Sequence, residues 1–239
     1  MFFAARYRKP ETVVEEKEDK EVVLKNKDEA TSDKVKVISF RKTKLALLGI
    51  CVATYVACEF GYVAFSISMY QYLPIHLSAP LSARVQSIMC TTFTLGRLLT
   101  AFISLKLKPD LILAYHYVIL LGSIAFLYLT QHNLNAIYAG NVVLGFGFSA
   151  IWPGLFGFTE HFLGLTARVC TLYAFCAGTA CLVIPLLLGS TFKAHPIVLL
   201  EAIFVFTVVS FIIFSFVRIW ILIDSRRERL TRKESLKTG

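Results

Sequence analysis

The sequence predicts an all-α integral membrane protein with six transmembrane helices. Of its 239 residues, 56% are hydrophobic, whereas soluble domains typically contain about 45–50% apolar residues. The mean hydropathy is +0.64. The charged residues are concentrated near the two ends, at 6–44 and 218–237, and leave a long central stretch with few charges. A chain of this composition and charge distribution requires a lipid bilayer as its solvent.

Six apolar stretches each approach the ~20 residues that span a hydrocarbon core of ~30 Å. They cover residues 45–70, 85–105, 111–129, 136–155, 169–188 and 198–223. On this interpretation the chain consists of a charged cytoplasmic tail or linker at 1–43, a six-helix domain at 44–223 and a basic cytoplasmic tail at 224–239. The first 41 residues lack a long apolar face, so we expect them to be solvated and mostly disordered or transiently helical.

The distribution of lysine and arginine predicts the orientation of the helices. Lys106, Lys108 and Arg168 lie in alternate turns, which share their side with the two charged termini. The remaining turns hold only Arg84 and Lys193. By the positive-inside rule we expect both termini in the cytoplasm. The rule does not identify the host membrane, which we expect to be the plasma membrane. This rule accounts for the net charge of +9 without a nucleic-acid partner, and the basic tail is expected to anchor the chain beside lipid headgroups.

The reactive side chains do not form a catalytic or metal-binding pattern. All six cysteines fall within apolar stretches, without a CxxC motif or a neighbouring histidine pair, so we expect them to be packing residues. The five histidines are scattered over separate turns and helices. No hydrolase, metalloprotease or phosphate-binding motif occurs. We therefore expect neither an enzyme nor a protein with a metal site or cofactor.

Glu59 lies near the middle of the first predicted span. An ionisable side chain in the hydrocarbon core costs a few kcal/mol, so its presence indicates function. A polar stripe at spacings of three and four shares its helix face, and its members are Tyr55, Glu59, Tyr62, Ser66 and Tyr70. Glu59, Tyr62 and Ser66 are predicted to bind a proton, a cation or the hydroxyl groups of a solute. Alternatively, a hydrogen-bonded Glu59 only joins helices, and the sequence leaves both interpretations open.

A second polar stripe follows the fourth predicted span. Its members are Tyr138, Asn141, Gly145, Ser149 and Trp152. Binding sites combine aromatic faces with a few placed polar groups, and a sugar suits this combination, so Asn141, Ser149 and Trp152 are predicted to contact a solute. In the alternative interpretation, the glycines of this helix are close-packing positions and Trp152 fills the core or the interface.

Two further features of the spans suggest moving parts. Arg97 and Glu160 fall near the inner ends of the second and fourth spans, where they could pair as a cytoplasmic latch with two states. The alternative is that both side chains simply reach the interface. Pro153 and Pro185 interrupt the fourth and fifth spans beside small residues, which predicts kinks that either serve transport or are tolerated by packing.

Three segments carry a family resemblance. They are VACEFGYVAF at 56–65, FTLGRLLTAFISLKLKPDLIL at 93–113 and GFGFSAIWPGLFGFTEHFLG at 145–164. In this order they resemble the seventh, eighth and tenth helices of major facilitator superfamily transporters, in the branch of the sodium-dependent glucose transporter-like proteins and fucose:proton symporters. The resemblance covers roughly residues 42–223, and it implies that the chain corresponds to the C-terminal half of a twelve-helix carrier, built from two inverted three-helix repeats.

The resemblance implies alternating-access transport of a hexose or similar polyol, coupled to Na⁺ or H⁺. Glu59 matches the family glutamate, Arg97 the glycine–arginine motif and Glu160 the acid at the inner end of the tenth helix. The symporters carry their principal acidic coupling residues in the first six helices, so the resemblance does not fix the coupling ion. The expected partners are the solute, the cation, the lipid bilayer and a second transporter half or further copies of this chain. The alternative is a non-transporting protein that assembles with a full-length carrier and regulates it.

Overall fold

The structure is a computed structural model that describes the backbone of residues 12–189 and 195–238. Side chains are described for residues 40–187, 195–227 and 230. No strand occurs in the described residues, which form seven helices. The helices are α1 (Thr12–Tyr72), α2 (Ala79–Ile103), α3 (Pro109–Leu129), α4 (Leu134–Ser149), α5 (Ile151–Leu163), α6 (Ala167–Gly189) and α7 (Val198–Thr238).

The chain divides into two compact units, Met1–Thr43 and Lys44–Gly239. In the first unit the backbone is helical from Thr12 onward, whereas the sequence predicted a mostly disordered or transiently helical stretch. Glutamate and lysine are abundant in this segment, and both are good helix formers even where no apolar face exists. Residues 1–11 fall outside the described residues.

The second unit contains most of the membrane-spanning segments. Within the described residues, five helical stretches are long and apolar enough to cross a bilayer: Phe40–Tyr72, Pro109–Leu129, Leu134–Leu163, Ala167–Leu187 and Val198–Arg227. The third of these contains both α4 and α5. The prediction of an all-α membrane fold is therefore confirmed.

Helix α2 corresponds to the second predicted span, but it differs from the other five. Its 25 residues are enough to cross a bilayer, yet it is absent from the apolar stretches found in the described residues. Six serine and threonine residues together with Arg84, Gln86 and Arg97 reduce its hydropathy. The predicted count of six spans is thus approximate. Five stretches are both long and apolar enough to cross a bilayer, whereas α2 is long enough but less apolar.

The fourth span is broken between α4 and α5. Ala150 joins the two helices with φ −106° and ψ −10°, and helical bonding resumes where Gly154 N–H donates to the Ala150 carbonyl at 2.8 Å. Pro153 has no N–H to donate to the Ser149 carbonyl, which weakens the helix at this point. The predicted interruption is therefore present at Ala150, while Pro185 lies inside α6, which continues through it.

Three successive carbonyls beside this break accept hydrogen bonds from side chains. The Phe146 carbonyl accepts one from Ser149 Oγ at 2.7 Å, and the Gly147 carbonyl lies 3.2 Å from His116 Nδ1 on α3. The Phe148 carbonyl accepts one from the Tyr55 hydroxyl on α1 at 2.8 Å. Side chains of α1, α3 and α4 thus satisfy the backbone carbonyls beside the break, as a broken membrane helix requires.

Glycines allow α2 and α3 to approach α4 closely. A Cβ at Gly145 would lie 2.4 Å from the Met89 carbonyl oxygen, and one at Gly96 would lie 2.7 Å from Ser149 Oγ. Gly140 and Gly147 are similarly restricted by the side chain of Leu127 and the backbone of Leu120 on α3. The structure therefore agrees with the interpretation of these α4 glycines as close-packing positions.

Two ion pairs join the ends of three of the apolar spans. Lys44 Nζ lies 2.5 Å from Asp224 Oδ2, and Arg218 Nη2 lies 2.9 Å from Asp110 Oδ2. These contacts place the beginning of the first span, the beginning of α3 and the end of the last span at one end of the second unit. The side of the membrane that this end faces stays a prediction.

Candidate solute site between helices α1, α2 and α5

A cavity of about 360 Å³ opens between α1, α2, α5 and α6. Its lining residues are Val56, Glu59, Phe60, Val63, Arg97, Trp152, Ala177 and Cys181. The cavity brings together three side chains that the sequence singled out: Glu59, Arg97 and Trp152. All other lining residues are uncharged, so one carboxylate and one guanidinium supply the formal charge of this site.

Glu59 and Arg97 form an ion pair across the cavity. The Arg97 Nη2 atom lies 3.9 Å from Glu59 Oε1, and the side chain of Glu59 is 24% exposed whereas that of Arg97 is 45% exposed. The Arg97 guanidinium also lies 4.2 Å from the ring centroid of Phe93, where a cation is attracted to the aromatic face. The pair is long and partly open, so both groups retain hydrogen-bonding capacity for a third molecule.

The expected latch between Arg97 and Glu160 is replaced in this structure by the pair with Glu59. Arg97 and Glu160, both described residues, form no ion pair with each other. Glu160 Oε2 instead accepts a hydrogen bond from the Leu165 backbone N–H at 2.8 Å. Glu160 thereby stabilises the turn after α5, where Gly164 adopts a φ of 73° that favours glycine.

Two predicted solute-binding residues, Tyr62 and Asn141, are buried in a hydrogen-bonded network with Tyr70. The Tyr62 hydroxyl donates to Asn141 Oδ1 and lies 2.8 Å from the Tyr70 hydroxyl. Asn141 Nδ2 donates to the Tyr70 hydroxyl and to the Ile137 carbonyl, both at 2.8 Å. None of the three side chains lines the cavity, and in this structure they bind one another and join α1 to α4.

The two predicted serines also lie outside the cavity. Ser149 is fully buried, and its hydroxyl donates to the Phe146 carbonyl while its Cβ packs against Gly96. Ser66 is fully buried too, and its Oγ has no hydrogen-bond partner. Of the predicted pair Asn141 and Trp152, only Trp152 lines the cavity. The break at Ala150 separates the two residues into different helices, which the periodicity of a continuous helix did not reveal.

Sequence reasoning missed a buried histidine among the scattered ones. His116 on α3 is fully buried; its Nε2 lies 3.4 Å from Thr100 Oγ1 on α2, and its Nδ1 lies 3.2 Å from the Gly147 carbonyl on α4. It therefore connects three helices next to the α4/α5 break. Its position in the middle of an apolar span was a usable signal, because ionisable residues inside spans face the interior of the bundle.

The cavity offers the chemistry for a polar organic solute. A carboxylate accepts hydrogen bonds, a guanidinium donates them, and the Trp152 ring supplies an apolar face beside them. Within the described ranges, no three histidine, cysteine, aspartate or glutamate side chains lie close enough to hold a metal ion. These observations describe a multi-pass integral membrane protein of α-helical spans with a charged pair exposed in a cavity at membrane depth.

Comparison with known proteins agrees with this class. The chain is 25% identical over 137 residues to major facilitator superfamily domain-containing protein 4A of Xenopus tropicalis. The aligned residues make up 57% of this chain and 27% of the relative. It is 27% identical over 135 residues to the human and Pongo abelii proteins of the same name, covering 55% of this chain and 26% of each relative. No family model and no solved structure matches the chain.

These similarities support membership of the major facilitator superfamily. The matched region spans about a quarter of the length of the curated relatives.

Proposed function

We propose that the chain carries out transmembrane transport of a solute by alternating access, as one six-helix half of a twelve-helix assembly. The observation that carries this proposal is the Glu59–Arg97 pair in an open cavity between helices of the bundle. Charges at membrane depth are costly, and they persist where they bind a substrate or an ion. The similarity to proteins named for the major facilitator superfamily supports the same class.

The proposed solute is a hexose or a similar polyol. Sugar hydroxyl groups can donate to the Glu59 carboxylate and accept from the Arg97 guanidinium, while a sugar ring packs on an aromatic face such as that of Trp152. The resemblance of the sequence to the glucose and fucose transporter branch supports this choice of solute. Tyr62 and Asn141 contribute indirectly in this proposal, because their hydrogen bond joins α1, which carries Glu59, to α4. Ser66 and Ser149 are buried on the same two helices and do not line the cavity.

The proposed coupling ion is Na⁺ or H⁺, and its site is the Glu59 carboxylate. In the ion pair, Arg97 neutralises Glu59 at a distance of 3.9 Å. If Arg97 moves away as the bundle rocks against its partner, a cation or a proton can take its place on the carboxylate. A second half, or a second copy of this chain, supplies the opposite wall of the pathway in this proposal.

Uptake by membranes that contain the chain tests the proposal. Proteoliposomes with the wild-type chain are offered labelled hexoses and polyols, with and without gradients of Na⁺ and H⁺. We expect Glu59→Gln to lower the uptake rate at least about tenfold, corresponding to roughly 1.4 kcal/mol of lost stabilisation. The substitution preserves shape and removes the charge.

Glu160→Gln is the matched control, because Glu160 is an exposed glutamate outside the cavity that bonds a backbone N–H. We expect its uptake to equal that of the wild type. Uptake that is unchanged in Glu59→Gln would assign Glu59 to helix packing alone. If the folded wild-type chain takes up no solute under any gradient, transport by copies of this chain alone is excluded. Uptake that is still absent when a full-length carrier is present would favour the regulatory role.

A further inference from the structure

The Arg97 guanidinium has hydrogen-bonding capacity that the described part of the chain does not use. Its ion-pair partner is Glu59, and the distance of 3.9 Å between Nη2 and Oε1 is too long for a hydrogen bond. Within the described residues, no acceptor is bonded to the N–H groups of this guanidinium. Phe93 lies against one face of it, with 4.2 Å to the ring centroid, so the edge that carries the N–H groups can bind a ligand.

The two partners of the pair differ in how they can lose their charge. A carboxylate becomes neutral when it takes up a proton, whereas a guanidinium stays charged in proteins. A ligand that binds Arg97 and displaces Glu59 can therefore leave a neutral glutamic acid behind. A ligand that binds Glu59 and displaces Arg97 leaves an unpaired cation, which is costly at membrane depth.

The pair lies far from both ends of its span, so an unpaired charge there is poorly solvated. Glu59 is 19 residues after Phe40 and 13 residues before Tyr72, the two ends of the first span. These separations correspond to about 28 Å and about 20 Å along the helix. Arg97 reaches the same depth through its contact with Glu59. The charge balance of the occupied cavity therefore influences which solutes bind.

This charge balance distinguishes four kinds of solute of similar size. A monoanion on Arg97, together with a proton on Glu59, leaves every charge paired and the net charge at zero. A dianion leaves an excess negative charge, and an amine on Glu59 leaves Arg97 unpaired. A neutral sugar retains the ion pair, but its hydroxyl groups form single hydrogen bonds. A carboxylate instead gains a bidentate, charge-assisted contact with the guanidinium, so the monoanion is favoured.

The cavity suits a proton better than a metal cation as the coupled ion. Hard cations take several oxygen ligands, whereas Glu59 is the one lining residue with a side-chain oxygen. The titratable or charged groups that face Glu59 are Arg97 on α2, Cys181 on α6 and Tyr55 one turn earlier on α1, while α5 contributes the uncharged Trp152. Ordinary cysteine and tyrosine side chains are largely neutral near pH 7. Arg97 is thus the charge that keeps a proton off Glu59.

We infer that the cavity selects a polyol that carries one carboxylate, such as a hexuronic acid, and that each solute binds together with one proton. The solute carboxylate accepts two hydrogen bonds from Arg97, a proton from water moves to a Glu59 oxygen, and the sugar ring packs on Trp152. The role of this selection in transport rests on the proposed function, in which one anion and one proton then cross together without net charge. The selection itself is a property of binding.

Equilibrium binding to the purified full chain in detergent tests the inference without requiring transport. The labelled solutes are glucose, glucuronate, glucosamine and glucose 6-phosphate, which share one skeleton and differ in charge. We expect glucuronate to bind at least about tenfold more tightly than the other three at pH 6. In weakly buffered solution we expect one proton to be taken up for each glucuronate bound. By linkage, the dissociation constant of glucuronate should then rise about tenfold per pH unit above pH 6, whereas that of glucose should not change.

Two variants separate the roles of the paired side chains. The amide of Glu59→Gln resembles a protonated carboxyl group, so we expect this variant to bind glucuronate without proton uptake and with an affinity independent of pH. Arg97→Gln should lower the ratio of glucuronate affinity to glucose affinity at least about tenfold. Arg84→Gln is the matched control and should retain the wild-type ratio, because Arg84 is an exposed arginine of the same helix that does not line the cavity.

Glucuronate binding that is absent, no tighter than glucose binding, or unaccompanied by proton uptake would overturn the inference. Tightest binding of glucosamine would overturn it too, since Glu59 would then be the group that recognises the solute charge. If a variant fails to fold, the pH dependence of the wild-type chain still decides. Transport of neutral hexoses without glucuronate binding would refute this inference alone, whereas glucuronate binding without transport of any solute would count against the proposed function alone.

Discussion

At the scale of single residues, the Glu59–Arg97 pair places two charges at membrane depth, where charges are costly. Both side chains remain partly exposed. Its members lie on α1 and α2, and their contact of 3.9 Å is longer than a tight bidentate pair. Opposite charges attract each other more strongly in low-dielectric surroundings than in water. The attraction helps to offset the cost of the two charges at membrane depth, and under the proposed function a solute or cation displaces one partner.

Tyr62 presents the opposite case, since its hydroxyl is committed to Asn141 and Tyr70 in the interior. We predict that Tyr62→Phe lowers the stability by about 1–3 kcal/mol, because it leaves two buried polar groups short of a partner. The thermal unfolding midpoint of the purified protein in detergent measures this effect.

Tyr128→Phe is the control for this prediction, because Tyr128 is 42% exposed on α3 and its loss should change the stability by less than about 0.5 kcal/mol. A Tyr62→Phe variant as stable as the wild type, but with weakened solute binding, would contradict the packing role. It would return Tyr62 to the solute-binding set that the sequence predicted.

The sequence identified three residues that line the cavity, Glu59, Arg97 and Trp152. It did not identify which residues they contact. Glu59 and Trp152 could be found because a carboxylate at mid-span and an aromatic residue near a helix break are unusual. The partner of Arg97 could not be found, because Glu59 and Glu160 both lie in neighbouring spans and only helix rotation decides between them. Helix rotation also determines that Asn141 faces Tyr62 in the interior while Trp152 faces the cavity.

At the scale of helices, the glycines of α4 allow α2 and α3 to pack closely against it. We predict that Gly145→Ala destabilises the protein by about 1–3 kcal/mol, because the added Cβ would meet Thr92 Oγ1 at 2.2 Å and the Met89 carbonyl at 2.4 Å. Thermal unfolding in detergent and the yield of folded protein in membranes both measure this effect.

The matched control is Gly122→Ala on α3, where an added Cβ meets nothing within 4 Å. Alanine is a better helix former than glycine by up to about 1 kcal/mol, so this variant should be as stable as the wild type or more stable. Similar effects of the two substitutions would mean that α2 and α4 are not packed as closely as the structure has them.

The existence of the helices could be predicted from apolar stretches, but their limits and continuity could not. The predicted start of the first span, residue 45, lies far inside α1, because helix propensity extends the helix through a charged segment that has no apolar signal. The predicted fourth span appears as two helices with a break at Ala150. The position of α2 was predicted correctly. Which of its side chains are exposed could not be predicted, because exposure depends on how α2 packs against its neighbours.

At the scale of the second unit, two of the three ion pairs found among residues with described side chains lie at one end, and the third is Glu59–Arg97. Lys44, Asp110, Arg218 and Asp224 lie at one end and pair with each other. The alternation of basic turns in the sequence predicted that these segments would share a side of the membrane. The two ion pairs place them at one end of the unit, and the side that this end faces stays a prediction. The inverted relation between the two triplets of helices is untested and stays a prediction.

Counterflow tests the central claim of alternating access most directly. Proteoliposomes that contain the chain are preloaded with an unlabelled hexose or polyol at high concentration, and a trace of the labelled solute is added outside. A carrier that exposes its site alternately to each side accumulates label transiently above equilibrium, whereas a channel does not.

We predict a transient overshoot of label for the wild type and for Glu160→Gln, and none for Glu59→Gln. The absence of an overshoot in the wild type for every solute tested would contradict alternating-access transport by copies of this chain. An overshoot of equal height in Glu59→Gln would contradict the proposed role of the Glu59–Arg97 pair.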